Sequence, residues 1–462
     1  MNRLVKKIFV SFILVLISPF LTFSQVDKPN FVIIFIDDMG YGDIGPFGSK
    51  INRTPHLDRM AKEGRKLTSF YVASPVCTPS RAALMTGCYP QRVGLQRGSG
   101  HIVLFPGDHH GLNPKEITIA ETLKSVGYTT GCFGKWHLGD QPEFLPTTQG
   151  FDTYYGIPYS NDMWPALKRF KCPDLPVLHN TKVVELIKDM DGQATLCKKF
   201  TDAATQFIRK NKKKPFFVYL PHAFVHSPRK ASPQFMVKAK TVEQAQVEEV
   251  DWSVGQILKT LREEGLEKNT LVLFTSDNGP AGGLSAGPLR GRKGTAFEGG
   301  QREPTVVWWP GTVPAGTVSN ELTTAMDLLP TFATLAGAKT PTNRVIDGKD
   351  IAPIILGKSG AKTPHDRFFY QQGGRLAAVR SGDWKFFVKG QLYNLNNDLA
   401  EKNNIAHANP KVVKKLRGYL DDFQKDLAIN SRPVGLVQNP RTLVPRPGVK
   451  GEEAYKPTLS IK

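Results

Sequence analysis

Short apolar segments alternate with amphipathic segments along most of this chain, and this alternation restricts the possible folds more than any other feature of the sequence. The apolar segments are rich in β-branched and aromatic residues, which is typical of strands covered on both faces; they lie at residues 31–36, 128–133, 216–220, 271–275 and 306–309. Helices are predicted between them, several ending at a glycine, at residues 55–63, 117–126, 196–210, 242–264 and 326–335. We therefore predict an α/β fold in which a large, mixed but mainly parallel sheet is flanked by helices.

The pattern changes after about residue 340. Short strands separated by glycine-rich turns precede a helix near residues 411–425, and these strands lie at residues 367–370, 376–380, 385–388 and 391–393. They predict a small C-terminal α+β domain with an antiparallel sheet over residues 341–430, after a larger N-terminal domain over residues 25–340. A chain of 462 residues has room for both, because one hydrophobic core stops growing at roughly 250–300 residues. Residues 431–462 are rich in proline and basic residues and predict an extended or disordered tail.

The first 24 residues have the pattern of a secretory signal peptide. Arg3, Lys6 and Lys7 precede an apolar run at residues 8–20, and small residues suited to cleavage follow it. The run is shorter than the roughly 18–20 apolar residues of a membrane-spanning helix. We therefore expect a periplasmic or secreted protein without a stable membrane anchor. Its net charge of +20 favours an anionic partner, and export argues against nucleic acid in that role.

The cysteine content excludes both a disulfide scaffold and a chain in which every cysteine is paired in a disulfide. Five cysteines are too few to hold a chain of this length together, and their odd number leaves at least one thiol unpaired. Cys172 and Cys197 could form a disulfide or remain two buried thiols, and the sequence leaves both alternatives open.

Polar and ionisable residues directly follow four of the predicted strands. Ligands of an open parallel sheet collect beyond the carboxyl ends of its strands, so these residues are expected at one edge: Asp37, Asp38, Lys135, His137, His222, His226, Asp277 and Asn278. The two Asp residues and the Asp-Asn pair offer only oxygen ligands, which favours Ca²⁺ or Mg²⁺ over zinc. Each pair alone is also typical of a turn. Their occurrence at matching strand ends favours a metal site.

The segment Cys-Thr-Pro-Ser-Arg at residues 77–81 resembles the signature of the type I, formylglycine-dependent sulfatases of the arylsulfatase type. Further segments resemble landmarks of that family in the same order along the chain; they lie at residues 134–137, 156–162, 226–228, 276–279 and 291–300. The resemblance extends over roughly residues 30–400. It implies the alkaline-phosphatase-like sulfatase fold, with residues 25–340 as the catalytic domain, and it implies hydrolysis of sulfate esters.

The resemblance also implies a nucleophile and a metal site. Cys77 would be converted by an external formylglycine-generating or maturation enzyme into formylglycine, whose hydrate attacks sulfur. One Ca²⁺ ion, or less favourably Mg²⁺, would be held by Asp37, Asp38, Cys77, Asp277 and Asn278. Arg81 would brace the formylglycine and the metal ligands. Such a site suits a stable monoanionic ester, because attack on it needs a strong nucleophile and nearby positive charge.

The other roles implied by the resemblance concern the substrate. Lys135 and His137 would contact the hydrate, with His137 as the base for its collapse, and His226 and Lys293 would assist departure of the alcohol. Substrate-binding residues are expected at Ser160, His222, His226 and Lys293. His222 lacks the sequence context of His226, so a purely structural role is an equal alternative. The expected substrate is a sulfated polysaccharide, its oligosaccharides, or a small sulfate ester.

Two alternative functions remain open from the sequence. A phosphatase or phosphodiesterase of the alkaline phosphatase superfamily would share the fold but use Ser or Thr in place of Cys77. A non-catalytic polyanion-binding protein would keep the basic surface without needing the nucleophile and ligands together. The sequence contains no signal that specifies an oligomeric state.

Overall fold

The computed structural model describes residues 28–449, so the predicted signal peptide at residues 1–24 and the end of the predicted tail lie outside the described residues. The strands in that range are β1 Asn30–Ile36, β2 Arg65–Tyr71, β3 His110–Gly111, β4 Thr129–Lys135, β5 Thr153–Ile157, β6 Leu175–His179, β7 Lys182–Ile187, β8 Phe216–Pro221, β9 Thr270–Ser276, β10 Arg302–Trp308, β11 Thr317–Ser319, β12 Thr323–Thr324, β13 Phe368–Gln372, β14 Arg375–Ser381, β15 Trp384–Phe387, β16 Leu392–Asn394 and β17 Gly435–Leu436. The α-helices are α1 Pro55–Glu63, α2 Cys77–Thr86, α3 Ile119–Lys124, α4 Met190–Ala194, α5 Leu196–Asn211, α6 Pro233–Met236, α7 Val242–Glu263, α8 Glu298–Gln301, α9 Leu328–Ala336, α10 Ala352–Ile355 and α11 Pro410–Asn430.

A large sheet forms the centre of the N-terminal part, in the order β11-β2-β10-β9-β1-β8-β4-β5-β6-β7, with β12 beside β2. Its middle is parallel, since β1 pairs with β8 and β9, and β4 pairs with β8 and β5. All residues of β1 are buried. Because successive side chains point to opposite faces, Phe31, Ile33 and Phe35 enter one hydrophobic core while Val32, Ile34 and Ile36 enter another. The predicted mixed, mainly parallel sheet is confirmed.

The helices cover both faces of this sheet through their apolar sides. On one face α5 and α7 contribute Phe200, Ala204, Val250 and Val254 to the same core as Val32. On the other face α3 and α9 contribute Ile119, Leu123, Leu328 and Phe332 to the core of Phe31. Helix α3 begins with a capping box in which Thr118 and Glu121 satisfy each other's backbone N–H groups.

Strand β10 departs from the parallel pattern. The apolar run predicted at residues 306–309 belongs to a longer strand, Arg302–Trp308, that is antiparallel to both β9 and β2. All of its residues are buried. A strand covered on both faces has the same hydrophobic pattern in either direction, so the run alone could not specify the direction of pairing.

A second sheet follows in the C-terminal part. Strands β13, β14, β15 and β16 pair in sequence order and are all antiparallel, as predicted. Helix α11 packs on this sheet through Leu416, Leu420 and Phe423. The ring of Phe423 stacks on that of Phe369 in β13 at 3.9 Å between centroids. A third hydrophobic core therefore joins the small sheet to its helix.

Residues 431–449 are extended and lie against the larger N-terminal part. Strand β17 pairs antiparallel with β3, and Arg432 donates to Glu116 at 2.7 and 2.9 Å. Among residues 28–449, no helix has both the length and the apolar character that crossing a membrane would require.

Candidate active site

The first element of the site is the pair of acidic turns that follow β1 and β9. These strands are parallel, with Ile36 opposite Ser276, so Asp37 and Asp38 emerge beside Asp277 and Asn278. The Asp38 N–H donates to Asp277 Oδ1 at 3.2 Å, and Asn278 Nδ2 donates to Asp38 Oδ1 at 2.8 Å. Residue Asp38 has φ +64°, a left-handed conformation that L-residues rarely adopt. The strand register therefore brings the predicted ligand set together.

Cys77 is the first residue of α2 and faces this turn. Its Sγ atom lies 3.5 Å from Asp37 Oδ1, and the residue is 2% exposed. Burial, reinforced by the negative charge of Asp37, raises the pKa of the Cys77 thiol well above its usual range. An unmodified thiol at this position is therefore a poor nucleophile, since the thiolate is the reactive form.

Arg81 lies one turn later on α2 and reaches the same carboxylates. Its Nε and Nη2 atoms donate to Asp277 Oδ2 at 3.1 and 2.8 Å, and Nη1 donates to the carbonyl of Lys135 at 2.8 Å. The side chain is completely buried. Helical spacing of one turn places residues 77 and 81 on the same face. Arg81 therefore links α2 to the ends of β9 and β4.

Lys135 ends β4 and inserts its ammonium group between an acid and a hydroxyl. Its Nζ atom contacts Asp37 Oδ2 and donates to Ser160 Oγ at 3.0 Å. Burial alone would raise the pKa of Asp37, but Lys135, followed by His226 and Arg81, outweighs burial and holds that pKa well below its usual range. Asp37 is consequently an ionised carboxylate in the folded protein.

Two histidines approach the site with defined tautomers. The carbonyl of Leu104 can only accept, so His137 Nε2, at 3.0 Å from it, carries the proton and leaves Nδ1 as a lone pair. That buried Nδ1 has no hydrogen-bond partner in the described residues. In the same way His226 Nδ1 donates to the carbonyl of Ser227 at 2.5 Å, while Nε2 lies 3.6 Å from Asp38 Oδ2. Burial lowers the pKa of both imidazoles.

Lys293 closes the site from the loop between β9 and α8. Its Nζ atom lies 2.7 Å from Asp38 Oδ1, and 23% of the side chain remains exposed. Lys293 lies in the basic cluster Arg290, Arg292 and Lys293, a pattern that is also typical of a solvated surface. The contact with the buried Asp38 shows that Lys293 faces the site and is not simply a solvated surface lysine.

The donor set fits a hard divalent cation. Asp37, Asp38, Cys77 and His226 each place one ligand atom within 4.8 Å of the others. The buried Oδ1 of Asn278 has no hydrogen-bond partner in the part of the chain that is described. Burial, together with the negative charge of the neighbouring Asp37, raises the pKa of Asp277 to about 7. A cation among these oxygens would satisfy the free amide oxygen and relieve the repulsion between carboxylates.

A cavity of about 440 Å³ opens onto these residues. Its lining includes the site residues Cys77, His137, Ser160, His226 and Lys293, and it also includes Arg97, His101, Phe105, Asp162 and Phe170. Asp162 ends the segment 156–162 noted in the sequence but was not singled out there, and the other four residues were missed because their loops carry no strand-end or motif signal. The cavity gives a small molecule access to residue 77.

His222 lies apart from the cavity. It is completely buried, and its Nε2 atom is hydrogen-bonded to Ser253 Oγ on α7 at 2.9 Å. Burial lowers the pKa of His222 to about 3. Of the two alternatives for this residue, these contacts favour the structural one.

The cysteines outside the site form no disulfides. Cys88, Cys132, Cys172 and Cys197 are free and buried, as is Cys77. Cys172 and Cys197 contribute to the hydrophobic core on the α5 side of the sheet. The alternative of two buried thiols therefore holds for this pair.

Comparisons with known proteins agree with this geometry. A family model described as Sulfatase matches residues 29–338, and one described as N-sulphoglucosamine sulphohydrolase, C-terminal, matches residues 292–426. N-acetylgalactosamine-6-sulfatase of Rattus norvegicus is 41% identical over 376 residues, covering 77% of this chain and 71% of the relative. Arylsulfatase A of Homo sapiens is 37% identical over 464 residues, covering 88% of this chain and 90% of the relative.

Solved structures give the same result. Ps i-CgsB in complex with k-i-k-neocarrahexaose is 33% identical, with a TM-score of 0.77 over 88% of this chain and 94% of that chain. The PsFucS1 sulfatase from Pseudoalteromonas sp. is 28% identical, with a TM-score of 0.80 over 89% of this chain and 93% of that chain.

Proposed function

This chain belongs to the sulfatase family and is a sulfate ester hydrolase, and from that premise we propose that it cleaves sulfate esters of anionic carbohydrates by means of a formylglycine made from Cys77. The observation that carries the proposal is the position of Cys77, which lines the cavity and lies 3.5 Å from a buried carboxylate of the candidate metal site. Conversion requires an external maturation enzyme.

We assign one Ca²⁺ ion to the oxygen donors of Asp37, Asp38, Asp277 and Asn278, beside residue 77. Ca²⁺ suits this set better than zinc because the donors are carboxylates and an amide oxygen, and better than Mg²⁺ because Ca²⁺ tolerates irregular geometry. The cation would supply positive charge that favours an ionised hydroxyl at residue 77 and polarises the sulfate. Hydrated formylglycine would supply two geminal hydroxyls. The ionised one would bond to sulfur as the bond from sulfur to the alcohol breaks, and loss of the proton of the other would restore the aldehyde as the C–O bond to inorganic sulfate breaks.

The charges of the buried side chains fit this reaction. Three carboxylates are balanced by three basic groups, namely Asp37, Asp38 and Asp277 by Arg81, Lys135 and Lys293. A divalent cation would leave the site with two positive charges. A monoanionic sulfate ester and one ionised hydroxyl would neutralise them, so the site is matched to the reacting state rather than to the free protein.

His137 is suited to act as a base. Its Nε2 proton is committed to the carbonyl of Leu104, so Nδ1 can only accept a proton at the cavity wall. Its lowered pKa keeps the imidazole neutral at physiological pH. We assign His137 to removal of the proton from the hydroxyl that stays on residue 77 when sulfate leaves. Lys135 and Ser160 orient the groups beside it.

His226 and Lys293 are assigned to the departing alcohol and to the sulfate oxygens. His226 Nε2 is free of any carbonyl partner, and Lys293 is the partly exposed ammonium group of the site. Both line the cavity. Lys293 is the cationic donor for the leaving oxygen and lowers the barrier, because the alkoxide develops negative charge as the S–O bond breaks. His226 donates to that oxygen only when Nε2 carries a proton as well as Nδ1.

The proposed substrate is a sulfated polysaccharide or an oligosaccharide derived from it. Relatives of this chain are named for N-acetylgalactosamine 6-sulfate, and the Ps i-CgsB structure holds k-i-k-neocarrahexaose. Removal of the signal peptide takes away Arg3, Lys6 and Lys7 and leaves a net charge of 20 − 3 = +17, which would attract a polyanion, although salt at 0.1 M screens this attraction beyond about 10 Å. We further propose export through the signal peptide at residues 1–24, a catalytic domain over residues 25–340 and a C-terminal domain over residues 341–430.

Release of inorganic sulfate tests this proposal. The chain, co-produced with a formylglycine-generating enzyme, is assayed on defined sulfated oligosaccharides and on 4-nitrophenyl sulfate beside Cys77→Ala. We expect Cys77→Ala to lose turnover while it still binds the oligosaccharide. Cys88→Ala is the matched control, because Cys88 is also a buried free thiol but contacts Val345 and Arg432 instead of the site.

The two alternative functions give different results. A phosphatase would release phosphate from 4-nitrophenyl phosphate faster than sulfate from the matching sulfate ester. A polyanion-binding protein would bind the oligosaccharide and release nothing, whether or not residue 77 is altered. Either result would overturn the proposed mechanism.

A further inference from the structure

The cavity has two chemically different parts. Its inner part is formed by residue 77 and the sulfate-binding groups assigned above. Its outer part is formed by residues of two loops, one between α2 and β3 and one between β5 and β6: Arg97, His101, Phe105, Asp162 and Phe170. The reaction assigned to the inner part uses none of these outer residues.

Three of the outer residues form an aromatic wall. The rings of His101 and Phe105 lie 4.6 Å apart, Phe105 and Phe170 lie 4.6 Å apart, and His101 and Phe170 meet edge-on at 5.4 Å. His101 is exposed while the two phenylalanine rings are half-buried. Aromatic rings with one exposed side offer a flat apolar surface beside polar groups. Such a surface suits the C–H face of a sugar ring.

Arg97 contributes a free cation to the same cavity. It is exposed, and no hydrogen bond or ion pair joins it to another described residue. The buried arginines of this protein behave differently, since Arg81 and Arg92 each hold carboxylates at 2.7–2.8 Å. A guanidinium group presents a planar fork that binds carboxylate or sulfate through two parallel hydrogen bonds. Arg97 therefore has its full binding capacity available.

Asp162 contributes a hydrogen-bond acceptor to the cavity that Arg97 also lines. Its Oδ1 atom is buried and has no hydrogen-bond partner among the described residues. A buried acceptor without a partner is costly unless something donates to it. Sugar hydroxyl groups are donors of the required kind, and an anionic group is not.

We propose that Arg97 binds a second anionic group of the substrate, a carboxylate or a second sulfate, while the sugar that carries the scissile ester lies on the aromatic wall. The inference rests on the proposed function and adds to it the substrate class: a carbohydrate with at least two negative charges near the scissile bond. Asp162 accepts a hydrogen bond from a hydroxyl group of the same sugar. The outer part of the cavity thus selects the substrate that the inner part hydrolyses.

The test compares sugars that differ by one charge. The mature enzyme, with formylglycine at residue 77 verified by mass spectrometry, is assayed on a monosulfated disaccharide, on the same disaccharide with a second sulfate, on the same disaccharide with a neighbouring uronate, and on 4-nitrophenyl sulfate. Arg97→Gln should lower kcat/KM by about 10- to 100-fold on the substrate with the recognised second anion. Arg97→Gln should change kcat/KM on the remaining substrates less than threefold. The two dianionic substrates distinguish sulfate from carboxylate recognition.

Two further variants separate binding of the second anion from other effects. Arg209→Gln removes an exposed arginine at the end of α5, outside the cavity, and should change none of the rates, which controls for the loss of one surface charge. His101→Ala should raise KM on the mono- and disulfated disaccharides by the same factor, because it removes part of the aromatic wall and not the anion contact. Calorimetric binding to Cys77→Ala should show the same loss of affinity with Arg97→Gln, without depending on turnover.

Different outcomes overturn the two proposals. Equal effects of Arg97→Gln on all four substrates, or no effect on either dianionic disaccharide, would overturn the assignment of Arg97 while sulfate hydrolysis stands. A verified mature enzyme that releases sulfate from none of the four substrates would overturn the proposed function, and the role of Arg97 with it.

Discussion

Two clusters of buried charge lie in this protein, and they differ in what their polar atoms contact. The first, called the catalytic cluster after the role proposed for it above, consists of Asp37, Asp38, Asp277, Arg81, Lys135 and Lys293. The second, called the interdomain cluster after the two domains proposed above, joins the large sheet to the C-terminal sheet and consists of Glu298, Glu401, Arg302, Lys385 and Arg380 with Tyr71 and Tyr370. Both clusters place ionised groups where water does not solvate them, which is costly unless each group is paired.

Nearly all carboxylate oxygens of the interdomain cluster accept hydrogen bonds. Glu298 accepts from Tyr71 at 2.5 Å, from Tyr370 at 2.6 Å and from Lys385 at 2.9 Å. Glu401 accepts from the Glu298 N–H at 2.7 Å, and its other oxygen lies 2.8 Å from Lys385 Nζ. These donors outweigh burial and lower the pKa of Glu298. Both oxygens of Glu298 accept hydrogen bonds, and Glu401 Oε1, which has no hydrogen-bond partner among the described residues, pairs only with the ammonium group of Lys385.

The catalytic cluster is not saturated. Asn278 Oδ1 and His137 Nδ1 beside it have no hydrogen-bond partners in the described range, and the cavity opens onto it. Buried charge by itself therefore does not identify a functional site. The distinguishing feature is a buried charge cluster whose remaining donors and acceptors face a space that a ligand can enter.

The largest expected effect is on the catalytic cluster alone, through its metal. Removal of divalent cations by extended dialysis against EGTA should lower kcat/KM on the order of 10⁴-fold, because both the nucleophile and the sulfate lose their counter-charge. Added Ca²⁺ should restore activity, while the far-UV circular dichroism of the protein stays unchanged throughout. Full activity in protein shown to be metal-free by elemental analysis would contradict the assigned ligands.

Substitution of one lysine in each cluster sharpens the contrast. Lys385→Met leaves Glu298 and Glu401 buried without their ammonium partner and should lower the free energy of unfolding by about 3–5 kcal/mol, measured by urea denaturation. Lys135→Met should lower kcat/KM by about 10²-fold or more but destabilise less, because Arg81 and the cation still neutralise Asp37. Equal loss of stability in the two variants would remove the distinction between the clusters.

A smaller effect is expected at His222, which belongs to neither cluster. Its pKa is about 3 in the folded protein against 6.5 when exposed. As the pH falls, the imidazole is therefore protonated in the unfolded chain before it is protonated in the folded protein. Stability contributed by the neutral imidazole is present above pH 6.5 and declines as the pH falls toward 3. Between pH 7.5 and pH 5 the wild type should lose about 2 kcal/mol that His222→Gln does not lose. Parallel unfolding curves for the two proteins at both pH values would contradict this account.

Much of the fold follows from the sequence because the central strands are buried on both faces. Continuous apolar runs identified β1, β4, β8 and β9, and the polar residues after them indicated the candidate metal ligands. Strand β2, Arg65–Tyr71, was not predicted, since it reads as a polar segment at its start. Strands β5 to β7, at one end of the sheet, were missed as well. The edge strand β7 has exposed residues where an interior strand would be apolar.

The site was predictable where chemistry fixes the residue type and not where packing does. Cys77 and Arg81 are one helical turn apart in a recognisable segment, and Asp277 follows a strand. The aromatic wall had no such signal, since Phe105 and Phe170 are distant in sequence and meet only through loops whose course the hydrophobic pattern does not determine.

The central claim is that residue 77 acts as an aldehyde hydrate, and mass spectrometry of the proteolytic peptide that contains it tests this claim most directly. Preparations matured to different extents should contain formylglycine at residue 77 in proportion to their rate of sulfate release, with the unconverted fraction inactive. A fully active preparation in which that peptide carries an intact cysteine would contradict the account.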